Sequence, residues 1–235
     1  MKVLDPIPVQ LNLEEFMRLP STRRLREADV RQVMEKCRPL IEPKAVYTLL
    51  KVVSINGDEV LLSSGHTLKS IILSDMLKPE QSVAPYVVTI GSKLENHVSE
   101  TTKYSILQAW IMERIGDYAL EKTAAYIRSL IEKELGGSAI SFGPGTGTGK
   151  LFSIDQQETL FRILDPPRNI GVHLTSSYLM VPRKSISGVL ATTEKEYVAC
   201  QYCPRERCEN RRKPFSGEYF AIKCKGFSSL RDEYI

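Results

Sequence analysis

Lys103-Tyr-Ser-Ile-Leu-Gln-Ala-Trp-Ile-Met-Glu-Arg-Ile-Gly-Asp-Tyr-Ala-Leu-Glu-Lys-Thr-Ala-Ala-Tyr-Ile-Arg-Ser-Leu-Ile-Glu-Lys-Glu-Leu135 is the longest helical pattern in the chain. Ile106, Leu107, Trp110, Ile111, Ile115, Tyr118, Ala119, Ile127, Leu130, Ile131 and Leu135 recur at three- and four-residue steps. That periodicity predicts one long helix over 103–135 with a broad apolar face, Trp110 serving as a core anchor. Glu113, Arg114, Glu121, Lys122, Arg128 and Glu132 fall outside the face. Gly116 costs about 1 kcal/mol against alanine, so it points to a close neighbour or a kink. Gly136-Gly137 supplies the stop.

Working outward toward the N-terminus, residues 11–19 and 27–41 read as helices, the second from Val30, Val33, Met34, Cys37, Leu40 and Ile41. Residues 45–55 are apolar and β-branched. Asn56-Gly57 signals a type I′ hairpin, and Glu59–Leu62 supplies the return strand. A short helix at 70–77 and a strand at 86–90 follow, then a capping-box pattern of Ser92 and Glu95.

Toward the C-terminus the glycines cluster in Phe142-Gly-Pro-Gly-Thr-Gly-Thr-Gly-Lys150. A phosphate loop needs glycine where Pro144 stands and Ser or Thr where Leu151 stands, so that class is excluded. Glycines still allow a small polar ligand to approach the backbone, or simply make a surface loop. Residues 155–164 read as a helix stopped by Pro166-Pro167, and 172–181, 186–191 and 197–200 as strands. Helices and strands do not alternate regularly, so the expected class is α+β rather than a doubly wound sheet.

Hydrophobic content of 42% and charged content of 26% fit a globular protein, and no apolar run reaches membrane-spanning length. Met1 opens a polar segment, so a cytoplasmic location without a membrane is expected. The net charge of +4 resides in residues 195–225, where eight Lys or Arg face four Glu. That segment is a solvated basic loop or a surface for an anionic group or acidic partner. Nucleic acid is not expected, because no aromatic-interleaved basic pattern accompanies it. The same segment holds Cys200, Cys203, Cys208 and Cys224. Their spacing suits a four-thiolate zinc site or iron–sulfur cluster, with disulfides or inert thiols as the other readings. Cys37 reads as a small buried residue. His66, His97 and His173 are scattered, and no nucleophile–base pair is evident.

Two stretches carry a resemblance. Gly143-Pro-Gly-Thr-Gly-Thr-Gly-Lys150 with the following helix resembles the loop that holds S-adenosylmethionine in the activation domain of cobalamin-dependent methionine synthase. His173-Leu-Thr-Ser-Ser-Tyr-Leu-Met-Val-Pro-Arg-Lys-Ser-Ile-Ser-Gly188 resembles that family's next signature, and Lys195-x-Tyr197 matches the place of a cofactor-contacting tyrosine. The resemblance implies a curved antiparallel sheet with packed helices, spanning residues 1–195, followed by a Cys-rich tail at 196–235. It implies cofactor contacts at Gly143, Gly145, Thr146, Gly147, Pro182, Ser185 and Tyr197. Ser141 stands where the family has a carboxylate-gripping arginine, and Thr146 where it has a tyrosine. Asp75 lies nearest to the family's upstream acid.

The implied function is reactivation of a corrinoid-binding methyltransferase subunit. Cobalamin stays on the partner, S-adenosylmethionine supplies the methyl group, and a reduced flavodoxin or ferredoxin-like donor supplies one electron. On this reading the chain is not expected to carry a domain for homocysteine, methyltetrahydrofolate or cobalamin. The other reading is a non-catalytic docking partner with a zinc-stapled tail.

Overall fold

The computed structural model describes residues 1–146, 151–203, 205–208 and 211–216. Its centre is β6 (Ser82–Thr89), which is buried along almost its whole length because both faces and both edges are covered. On one edge it pairs with β2 (Lys44–Tyr47) and then β3 (Leu50–Asn56); on the other it pairs with β10 (Ser185–Thr192). Beyond β2 lies β1 (Lys2–Leu4), and beyond β10 lies β7 (Ala139–Phe142). A meander of β4 (Glu59–Leu62) and β5 (Thr67–Lys69) extends β3. Every pairing is antiparallel. The register shifts between Val52 and Ser54, and such a bulge bends and twists the strand that carries it.

Side chains alternate across the sheet with period two, which divides the core. Ala84, Tyr86 and Val88 face a helical layer made of α1 (Leu13–Met17), α2 (Glu27–Cys37), α4 (Lys93–Thr102) and α5 (Ile106–Leu135). Val83 and Val87 face the other side, where α3 (Ile71–Met76), α6 (Gln157–Leu164) and α7 (Pro166–Ile170) pack. The α+β expectation holds.

The long helical pattern is one helix, α5, which starts at Ile106 rather than at Lys103. Chain direction changes at Lys103–Ser105, and Ser105 caps α5 by accepting from the Gln108 amide. Gly136 ends α5 at φ +75°, with its amide on the Glu132 carbonyl. Gly116 lies inside a continuous helix, and a Cβ there would stand 3.0 Å from Leu94 Cδ2 and 3.3 Å from Lys184 Cε. Close approach is therefore the reason for this glycine.

Trp110 corrects the periodicity reading. It is 39% exposed, alongside Ile106 and Leu107, and its ring lies 5.9 Å from the Arg114 guanidinium. The segment 106–112 is apolar at nearly every position, so it does not select a face; Ala109, Ile111 and Met112 take the buried side.

Other expectations shift locally. Ser92 has helical dihedrals and its side chain makes no cap bond, so the capping box does not form. The β3–β4 turn places Asn56 in the strand opposite Glu59, with Gly57 at φ +61° as its first central residue. Asp58 keeps a negative φ, so the turn follows the Gly-X pattern rather than type I′. Residues 172–181 are not one strand. They form a small hairpin of β8 (His173–Leu174) and β9 (Met180–Val181). Residues 197–200 are not a strand either, because a 3-10 turn occupies Ala199–Tyr202. No helix among the described residues is long and apolar enough to cross a membrane.

Candidate functional site

The glycine-rich loop leaves the sheet at Phe142, which pairs with Val189 of β10. Gly188 permits that pairing, since a Cβ there would stand 2.7 Å from the Phe142 carbonyl oxygen. Gly145 then adopts φ +78° and donates its amide to the Phe152 carbonyl at 2.7 Å. Thr146 closes the turn by donating both its amide, at 3.3 Å, and its hydroxyl, at 2.7 Å, to the Gly143 carbonyl. The returning chain is anchored by buried Leu151 and Phe152, and Ser70 donates to the Leu151 carbonyl at 3.0 Å. Gly145 and Thr146 themselves are exposed. Gly147 and Lys150 lie outside the described residues.

Tyr197 meets this loop. Its ring lies 4.9 Å from Phe142 and 5.4 Å from Tyr202. Burial pushes its hydroxyl above the ordinary tyrosine range, against the opposing pull of a hydrogen bond with Thr146. Gly143, Gly145, Thr146 and Tyr197 are thus brought together.

Ser185 opens β10 at its other end, and Pro182 lies in the turn just before it. Ser185 donates to the Pro182 carbonyl at 2.7 Å and meets the Thr89 hydroxyl at 3.0 Å. The turn is clamped to the helical layer. Arg183 donates its amide to Glu95 and pairs with Glu113 at 3.0 Å, and Lys184 pairs with Glu113 at 2.6 Å and with Asp117. Burial alone would raise the Glu113 pKa, yet Lys184 and Arg183 hold it below the ordinary carboxylate range.

Two positions carry polar groups that the chain itself engages. Ser141 and Tyr86 share a hydrogen bond of 2.7 Å between hydroxyls. Asp75 receives the Lys195 ammonium, which donates to its Oδ1 at 3.1 Å and to its backbone carbonyl at 2.7 Å.

Sequence reasoning missed Tyr202 and Gln157. Tyr202 is 1% exposed and packs on Tyr197, but it stands inside the cysteine spacing that drew the reading. Gln157 accepts from Ser187 at 2.6 Å with both side chains buried, and a polar residue at a helix start carries no such signal.

The described cysteines Cys200, Cys203 and Cys208 are free thiols of intermediate exposure. Among the described residues no group of three or more His, Cys, Asp or Glu could hold a metal ion, so these three are not brought into one shell. Cys224 lies outside the described residues. Arg211 organises this segment instead, donating to the carbonyls of Cys200 at 3.0 Å, Cys203 at 3.3 Å, Lys213 at 3.3 Å and Arg205. The Arg212 amide donates to Cys200 Sγ at 3.4 Å, and this bond pulls the thiol pKa down.

The family model for the activation domain of vitamin B12 dependent methionine synthase matches residues 143–213, which contain the loop, the Pro182 turn, Tyr197 and the three described tail cysteines. A crystal structure of the MetH reactivation domain bound to AdoHcy superposes with a TM-score of 0.66, covering 81% of this chain and 72% of that one at 15% identity. The chain has the reactivation-domain fold. No curated protein sequence matches it. The matched segment of this reactivation-domain fold begins just after Phe142 and contains Tyr197, which packs against it.

Proposed function

We propose that the chain is a reactivation component for a cobalamin-dependent methionine synthase or related corrinoid methyltransferase. On this reading Gly143, Gly145, Thr146 and Tyr197 form the face that receives S-adenosylmethionine. The observation that supports it is the meeting of loop and tyrosine: Thr146 is hydrogen-bonded to Tyr197 within the matched segment, and the Phe142 ring just before that segment lies 4.9 Å from Tyr197.

The residues suit one end of such a ligand better than the other. Aromatic rings and exposed loop backbone fit a flat base and its sugar. Ser141 offers the carboxylate a neutral hydroxyl already shared with Tyr86. Losing a charge-assisted contact there costs about 1.5–3 kcal/mol of affinity. Within the reaction, this chain orients the methyl donor and excludes water, while the clamped Pro182 turn holds β10 in register. Cobalamin on the partner supplies the metal centre that takes the methyl group, with the electron from a flavodoxin or ferredoxin-like donor.

We extend the proposal to the tail, where Cys200, Cys203, Cys208 and Cys224 bind zinc or an iron–sulfur cluster after rearranging from the Arg211-centred arrangement. Anaerobically purified protein should then contain stoichiometric zinc or show a brown chromophore; neither would overturn this part. The internal engagement of Ser141 and Asp75 favours a second reading, a docking partner that no longer binds S-adenosylmethionine.

One experiment separates the two readings. The protein, S-adenosylmethionine and a one-electron donor are added anaerobically to the partner corrinoid protein in its cob(II) state. Conversion to methylcobalamin should require this protein and weaken with Thr146→Ala. Equal conversion without the protein overturns the reactivation reading.

A further inference from the structure

We propose that residues 193–203 are an autoinhibitory strap, in which Lys195 and Tyr202 occupy the ammonium and aromatic positions of the ligand face. The inference rests on the reading that Tyr197 and the 143–146 loop form that face.

The strap begins where β10 ends at Thr192. Its backbone hydrogen bonds run within the tail: Gln201 to the Val198 carbonyl, Cys203 to the Cys200 carbonyl and Ser216 to the Gln201 carbonyl. Side chains fasten it to the domain. Lys195 places its ammonium on Asp75, whose side chain is only 17% exposed. Seven residues on, the Tyr202 ring packs against Tyr197 at 5.4 Å and a tilt of 35°. Together they present what an aminoacyl nucleoside presents: a flat ring for an aromatic slot and an ammonium for a carboxylate.

The attachment is reversible on physical grounds. The Lys195 side chain is half-exposed, and a segment without ladder hydrogen bonds opens at lower cost than the sheet beneath it. A ligand that needs the open form has its apparent affinity reduced by the fraction of chains that are open. The strap therefore sets both the threshold and the selectivity of the face. It favours ligands carrying both ring and ammonium, because only these replace both internal contacts.

The test uses the full chain and two probes, AdoHcy and adenosine, in titration calorimetry. AdoHcy should bind Lys195→Met and Tyr202→Ala about five- to tenfold more tightly than the wild type. Adenosine needs the same open strap, so it too should gain from both variants. Saturating AdoHcy should also speed hydrogen exchange at the Gln201 and Cys203 amides by about tenfold or more while β6 and β10 stay protected. Lys195→Met alters a half-exposed ion pair and keeps the test valid if Tyr202→Ala does not fold. AdoHcy binding equally to wild type and Lys195→Met, with strap exchange unchanged, overturns the strap alone. Absence of AdoHcy binding to wild type and folded Lys195→Met at 1 mM, about the weak limit of specific recognition, overturns the ligand-face reading and the strap with it.

Discussion

The two sides of the central sheet are built by different means. On one side α2, α4 and α5 lay regular apolar stripes on Ala84, Tyr86 and Val88, and ion pairs clamp the Pro182 turn. On the other, short helices, a glycine loop and the strap converge on Phe142, Leu151, Phe152, Tyr197 and Tyr202. The first side is held by periodicity and the second by particular contacts. Candidate function lies with the second, where an element can leave without dismantling the sheet.

A pair of aromatic truncations tests that division with the largest effects. Phe16→Ala and Phe142→Ala each remove a fully buried ring, one set edge-on to Tyr118 and the other tilted against Tyr197. Each should cost about 3–5 kcal/mol in urea denaturation. Only Phe142→Ala should raise proteolytic cleavage within 195–203, because Phe142 supports the strap's aromatic stack. Equal cleavage in both variants would show that the two faces are not separable.

Glycines sharpen the comparison at smaller magnitude. Gly188→Ala drives a Cβ against the backbone carbonyl of Phe142, which cannot move without parting β10 from β7. A loss of about 1–3 kcal/mol is expected. Gly116→Ala meets the end of the Leu94 side chain, which can rotate away, while the helix gains about 1 kcal/mol of propensity. Its net effect should stay within about 1 kcal/mol. Thermal melts of the two variants provide the check.

Legibility from sequence followed the same line. Helices α2 and α5 and the β3–β4 hairpin were readable because a repeated face or a turn residue announces them. The loop announced itself by its run of glycines, whereas Tyr197 was found through resemblance. Tyr202 and the Ser187–Gln157 bond were not readable, since a contact between distant segments leaves no periodic trace. The failure at Trp110 has the opposite cause. Apolar residues crowd both faces of the first turns of α5, and periodicity cannot rank faces that are equally apolar.

The helical clamp has a pH signature on the acid side. Glu113 is held below its ordinary 4.5 by Lys184 and Arg183 against the opposing effect of burial. A depressed carboxylate stabilises the fold at pH values above its unfolded pKa. That contribution is lost as pH falls from about 4.5 through the lower folded value. Glu113→Gln should flatten this acid limb and lower stability near neutrality. An acid limb identical to wild type would remove Glu113 from the account.

The smallest effect belongs to Trp110, the only tryptophan in the chain. A half-exposed ring with no core role should be replaceable by serine within about 0.5 kcal/mol. Its fluorescence tests the placement directly in the native protein. Emission should already be red-shifted and should move little on unfolding, because the indole is wet in both states. Arg114, 5.9 Å from the ring, adds a sign to the test. The guanidinium attracts anions and repels cations, so iodide should quench native Trp110 more strongly than caesium, and salt should narrow the difference. Blue-shifted native emission protected from both ions would restore Trp110 to the core and reverse the assignment of faces at the start of α5.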